Sequence, residues 1–132
     1  MRRWWTWLAM TAPLWAGCIF NAGHYTYSDN GTEFESSSAT NAIVVTKIGH
    51  DLTTWERVTF KAQERGLLAA VNGRPSKTSG QPVSDETFRS LWAGPLHVGD
   101  TVRFCAPTAG RVHVYIMDQM MGHPMELAAA AC

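Results

Sequence analysis

Charge is scarce in this sequence and it cancels: lysine plus arginine number 11, aspartate plus glutamate number 11, and charged residues make up 17% of the 132-residue chain. A chain without net charge has no long-range pull toward nucleic acid or an anionic bilayer surface. Nucleic acid is therefore not expected as a partner. Cysteine is rare, three in all, which is too few for a disulfide-dense scaffold and an odd number that cannot pair completely within one molecule. The motifs of common enzyme classes are missing too: no Gly-x-Ser-x-Gly, no zinc-protease helix and no phosphate loop. His24, His50 and His97 are isolated from one another, and His50-Asp51, a pair able to orient a base, has no nucleophile motif beside it. A protein without catalytic residues is the expectation.

What is present is a hydrophobic start. Arg2 and Arg3 precede an uncharged run from Trp4 to Phe20, the layout of an export signal whose positive end stays in the cytoplasm. The run of about 17 residues would extend about 25 Å as a helix, slightly short for a membrane crossing, and Pro13 would interrupt it. Its end, Leu14-Trp15-Ala16-Gly17-Cys18, resembles the lipobox of exported lipoproteins, which implies lipidation at Cys18. A lipoprotein signal, an ordinary cleaved signal and an uncleaved anchor all remain open, and in the first and last the segment or its lipid makes the membrane a partner. If Cys18 carries lipid, Cys105 and Cys132 are left as a disulfide candidate for an oxidising compartment, worth about 3 kcal/mol by loop closure. The alternative is a buried free Cys105 with a frayed Cys132 at the terminus.

With 45% hydrophobic residues, the remainder suits one domain, mainly β. The chain divides into a signal or anchor at residues 1–22, a polar spacer at 23–41 that can include a first strand around His24-Tyr25-Thr26-Tyr27, and a β domain over 42–132. Asn30-Gly31-Thr32 in the spacer is a glycosylation candidate at Asn30. Ala42 to Ile48 is a β-branched run ended by Gly49, and Leu67 to Val71 runs into an Asn72-Gly73 turn. Between them Val58 and Phe60 alternate with polar residues as on a strand, although Thr53 with Glu56 also fits a helix cap. Arg74 to Ser84 reads as a surface loop with little core, and Ser84-Asp85-Glu86 as the cap of a short helix carrying Phe88, Leu91 and Trp92. Thr101 to Phe104 and Arg111 to Ile116 form the best candidate hairpin.

Met117, Met120, Met121, His123 and Met125 gather thioethers and an imidazole, the soft ligands preferred by Cu(I). His123-Pro124-Met125 resembles the Met and His pairs of periplasmic copper carriers. The plainer expectation is that these methionines fill the end of a core and that the protein has no cofactor. Trp55, Trp92 and Phe104 can line a ligand groove or, more ordinarily, fill a core.

Ile43-Val44-Val45-Thr46, Gly49-His50-Asp51-Leu52, Trp55, Val58, Trp92, Val98-Gly99-Asp100-Thr101-Val102 and Val112-His113-Val114 together resemble the globular domain of archaeal type IV pilins and their archaellin-like relatives. That family shows a strand, a Gly-Asp-Leu turn, a tryptophan before the next strand, a second tryptophan, a strand led by Gly-Asp and a closing valine-rich strand. The resemblance covers about 75 residues, from Ile43 to Asp118. It implies an immunoglobulin-like antiparallel β-sandwich behind an N-terminal hydrophobic helix, displayed outside the cell, associating with itself or with other surface proteins. Pilins keep a long hydrophobic N-terminal helix, whereas this lead segment is short and contains Pro13. Exported lipoprotein domains with a Val-Gly-Asp strand before a Gly-led strand are similar as well, and they need no filament.

Overall fold

A computed structural model describes residues 24–37, 41–77, 82–83, 87–117 and 124–132. Cys18 and the rest of the lead segment lie outside the described residues, as do Met120, Met121 and His123. The described chain is mainly β: β1 (His24–Asp29), β2 (Thr32–Ser37), β3 (Ala42–Lys47), β4 (Thr59–Ala62), β5 (Leu68–Val71), β6 (Arg74–Pro75), β7 (Arg89–Ser90), β8 (Thr101–Ala106), β9 (Gly110–Ile116) and β10 (Met125–Ala131). Its one helical element among the described residues is a single 3-10 turn at Trp55–Arg57.

Residues 24–37, expected as a polar spacer holding at most a first strand, form a complete hairpin with β1 and β2 in continuous register from His24↔Ser37 to Asp29↔Thr32. Its two-residue turn uses Asn30 at φ 48° and Gly31 at φ 90°, the pair of positive angles that matches a tight hairpin to the twist of its strands. Asn30 is exposed at the turn's tip. The hairpin belongs to the core through Phe34, which is fully buried.

Beyond it the strand order is β1-β2-β3-β8-β10-β9-β4-β7, with β5 joined to β8 and β6 to β5. All pairings are antiparallel except one. Met125 to Ala129 of β10 run against β9, and then Ala130 and Ala131 lie parallel to Cys105 and Ala106 of β8. Strand β10 thus ties two groups of strands into one mixed sheet. Period-2 patterning decides which residues go inside: Val102, Phe104 and Ala106 from β8, Val112, Val114 and Ile116 from β9, and Met125, Leu127 and Ala129 from β10 are all buried in one cluster.

The structure corrects three local expectations. Strands β8 and β9 exist but do not pair as a hairpin. One edge of β8 is taken by β5 and the other by β3 and then β10, while β9 lies between β4 and β10. Their apolar residues belong to one buried cluster, in which Phe60 of β4, the strand beside β9, reaches Phe104 of β8 at 6.3 Å. The expected cap Ser84-Asp85-Glu86 lies outside the described residues, but among the described residues Phe88, Leu91 and Trp92 are on no helix: β7 pairs with Thr59 and Phe60 of β4, and Leu91 and Trp92 are both buried. The loop thought to hold little core supplies Val83, 1% exposed, whose N–H donates to the Leu67 carbonyl at 2.7 Å. Around Val58, strand β4 prevails over the helix that Thr53 and Glu56 fitted, and what precedes it is a single 3-10 turn whose N-cap position is held by Thr54, without a side-chain cap.

Candidate functional site

Three of the residues that carried the pilin resemblance, Trp55, Asp100 and Thr101, meet in one hydrogen-bonded knot around a buried carboxylate. Asp100 is 6% exposed. Its Oδ2 accepts the Trp55 Nε1–H at 3.1 Å and the His97 backbone N–H at 3.0 Å, and its Oδ1 accepts the Asn72 amide at 2.9 Å. Asn72 passes the link on, because its Oδ1 accepts the Thr101 N–H at 2.9 Å. Asn72 at φ 49° and Gly73 at φ 79° form the tight turn between β5 and β6. Burial alone would raise the Asp100 pKa. The Asn72 amide, the His97 N–H and the Trp55 indole outweigh it and hold the carboxyl below the ordinary aspartate value. Trp55 also packs edge-on against Trp92, 5.4 Å between ring centres.

The Gly49-His50-Asp51-Leu52 turn docks against the first hairpin in a similar way. Thr32, fully buried, donates its hydroxyl to the Leu52 carbonyl at 2.8 Å and accepts the Gly49 N–H at 2.8 Å. A Cβ on Gly49 would stand 2.1 Å from the Asn30 carbonyl oxygen, so only glycine lets these backbones approach. Nearby, Glu56 accepts the Gly94 N–H at 2.8 Å, which lowers its pKa. Trp55, Trp92 and Phe104 are 1%, 4% and 2% exposed and fill the core instead of lining a groove.

A second cluster, not foreseen from sequence, lies on the outer side of β9. His113 directs Nδ1 to Glu64 Oε2 at 2.8 Å, while Glu64 Oε1 accepts the His113 backbone N–H at 2.6 Å. On the other side of the ring, Nε2 stands 3.6 Å from Glu126 Oε2, and Arg111 pairs with Glu126. Strand register makes this group, with His113 opposite Glu126 in the β9–β10 pair. The His113 imidazole thus lies between the carboxylates of Glu64 and Glu126. Beside it, Lys61 Nζ lies 5.4 Å from the Phe88 ring centre and 5.9 Å from that of Tyr115.

The copper candidates are divided. Met125 is 5% exposed within the core, and Met117, at φ 65°, packs against that core. Among the described residues no group of three or more His, Cys, Asp or Glu side chains is arranged to hold a metal. Cys105 and Cys132 are joined in a disulfide, Cα to Cα 5.0 Å, at the point where β10 lies parallel to β8; the Cys132 N–H continues that pairing onto the Ala106 carbonyl at 2.9 Å. Where β3 and β10 part company along β8 there is an open groove of about 640 Å³, lined by small residues of both strands and by Arg103. Arg103 donates to the Asn41 side-chain oxygen at 2.6 Å. Among the described residues no helix is long and apolar enough to cross a membrane.

No family model, no curated protein and no solved structure matches this chain.

Proposed function

We propose that this is a non-enzymatic exported protein, anchored at a membrane through its N-terminal segment or a lipid on Cys18, whose immunoglobulin-like β-sandwich serves as a pilin-like structural or adhesive component of the cell surface. The observation that carries this reading is the Cys105–Cys132 disulfide. Disulfides persist in oxidising compartments, and this one secures the last strand of the fold, which suits a domain that must survive outside the cytoplasm. Three polar residues of the fold support it from another side. Buried Asp100 and Thr32, with Asn72 at the surface beside Asp100, have their side chains engaged in hydrogen bonds that join separate parts of the fold, as polar residues with a structural role do.

The test is fractionation of the producing cell with detergent phase partition, followed by intact-mass measurement. The expected product partitions with detergent, carries lipid on Cys18 or retains the N-terminal segment, and contains the disulfide. Recovery from the cytoplasm with Cys105 and Cys132 both reduced would overturn the reading. Electron microscopy of the cell surface then separates a filament component from a dispersed surface protein.

A further inference from the structure

The edges of this sheet are not equally protected. The strand path ends at β1 and β7, and β6 ends the side branch. Strand β7 is two residues long and begins with Arg89; β6 is two residues long and contains Pro75. Short length, arginine and proline are the usual means of preventing edge-to-edge association. Strand β1 has none of them. It runs for six residues, His-Tyr-Thr-Tyr-Ser-Asp, without lysine, arginine or proline, is rich in good strand formers, and has no strand beside its outer edge among the described residues.

The hairpin turn fixes which backbone groups lie on that edge. With a two-residue loop, Asp29 and Thr32 are the closing pair that exchange both backbone hydrogen bonds. Alternation along the register then points the N–H and C=O of Tyr27 and Tyr25 toward β2, and those of Ser28, Thr26 and His24 toward the open edge. A second β1 laid antiparallel about a two-fold axis through Thr26 meets this edge in phase. Thr26 exchanges two bonds with its own copy, and His24 exchanges two with Ser28 on each side of the axis. In the same register Tyr25 falls opposite the copy's Tyr27. Both tyrosines lie on the face that packs against the core, so the two sheets would join with their faces matched and with cross-strand aromatic pairs. Shifting the axis to Tyr27 would bring His24 against Asn30 in the turn and lose pairing.

From this geometry we infer that two copies of the chain associate through β1, forming a symmetric dimer with one sheet continuous across both. The inference rests on the edge alone and is independent of where the protein resides. The partner is specifically a second copy, because a two-fold axis at Thr26 satisfies hydrogen-bond phase and face parity together.

The full-length chain in detergent micelles is examined by sedimentation and by amide hydrogen exchange at two protein concentrations. The wild type should show a monomer–dimer equilibrium, with exchange at His24, Thr26 and Ser28 slowing as concentration rises. Thr26→Pro removes an outward-facing N–H that the monomer does not use, so it should keep the native fold and weaken the dimer about a hundredfold. Thr26→Lys, tolerated because Thr26 is exposed, places like charges on the axis. It should weaken the dimer about fivefold at low salt and recover near 1 M salt. A monomer at every concentration would overturn the inference. So would a dimer that leaves exchange at these three amides independent of concentration, or one unaffected by Thr26→Lys.

Discussion

Two carboxylate sites in the same fold differ in how much the fold depends on them. At Asp100 the carboxylate is buried and both oxygens are engaged by N–H groups from three separate parts of the chain. Around His113 the side chains of Glu64 and Glu126 are 30% and 23% exposed, and water competes for every contact. A buried acceptor cannot be removed without stranding its donors, whereas an exposed one is replaced by solvent. Similar hydrogen-bond lengths therefore carry different energies, and burial decides between them.

The largest break in that comparison is Asp100→Ala, which strands the buried Trp55 indole and removes the acceptor of the part-buried His97 and Asn72 bonds as well. The expected loss is about 3 kcal/mol, read by urea unfolding with the disulfide intact. Asp100→Asn is milder and isolates the charge. Because the folded carboxyl has a lowered pKa, the unfolded chain binds more protons between the two values. Its contribution is therefore complete above the unfolded aspartate pKa, about 4, and is lost as pH falls through the folded value. Stability of the wild type should fall on acidification through that window, and Asp100→Asn should fall less steeply. Parallel slopes would mean that Asp100 is not a source of the acid sensitivity.

Next in size is a contrast within the core. Trp55 and Trp92 touch each other, but Trp55 donates to Asp100 while the Trp92 Nε1 is buried with no hydrogen-bond partner. Replacement of either ring by Phe removes comparable volume. Trp55→Phe should therefore cost about 1.5 kcal/mol more than Trp92→Phe, the difference being one hydrogen bond to a charged group. Equal losses in thermal unfolding would reduce the knot to packing alone.

The same contrast explains what could be read from sequence. Strands β3, β5, β8 and β9 show themselves because β-branched runs alternate and Asn72-Gly73 is a turn with a mechanism. The Trp55, Gly99-Asp100 and Gly49 to Leu52 signals were visible as a pattern, and the structure gives their reason as hydrogen bonding and close approach. Strand β10 was not visible. Met-Glu-Leu-Ala-Ala-Ala-Ala is a helix-forming stretch by propensity, and it is extended because β9 and β8 offer it ladders and Cys132 secures its end. The helix expected after Ser84 had local spacing in its favour, but pairing of β7 with β4 overrode it. The Glu64, His113 and Glu126 group leaves no local trace. Its members are distant in sequence, and only strand register, itself a product of the whole fold, brings them together.

On the outer face the expected effects shrink in order of exposure. Glu64→Gln keeps an oxygen for the His113 N–H and loses only the charge facing the ring, so it should cost about 1 kcal/mol or less. Arg111, 66% exposed, holds Glu126 in a pair that salt screens, and Arg111→Ala should stay within about 0.5 kcal/mol in urea unfolding at moderate salt. The decisive measurement is the ranking. If Arg111→Ala destabilises the protein as much as Asp100→Ala, exposure does not set the energetic scale in this sheet, and the outer cluster must be a constraint on the fold as strong as the buried one.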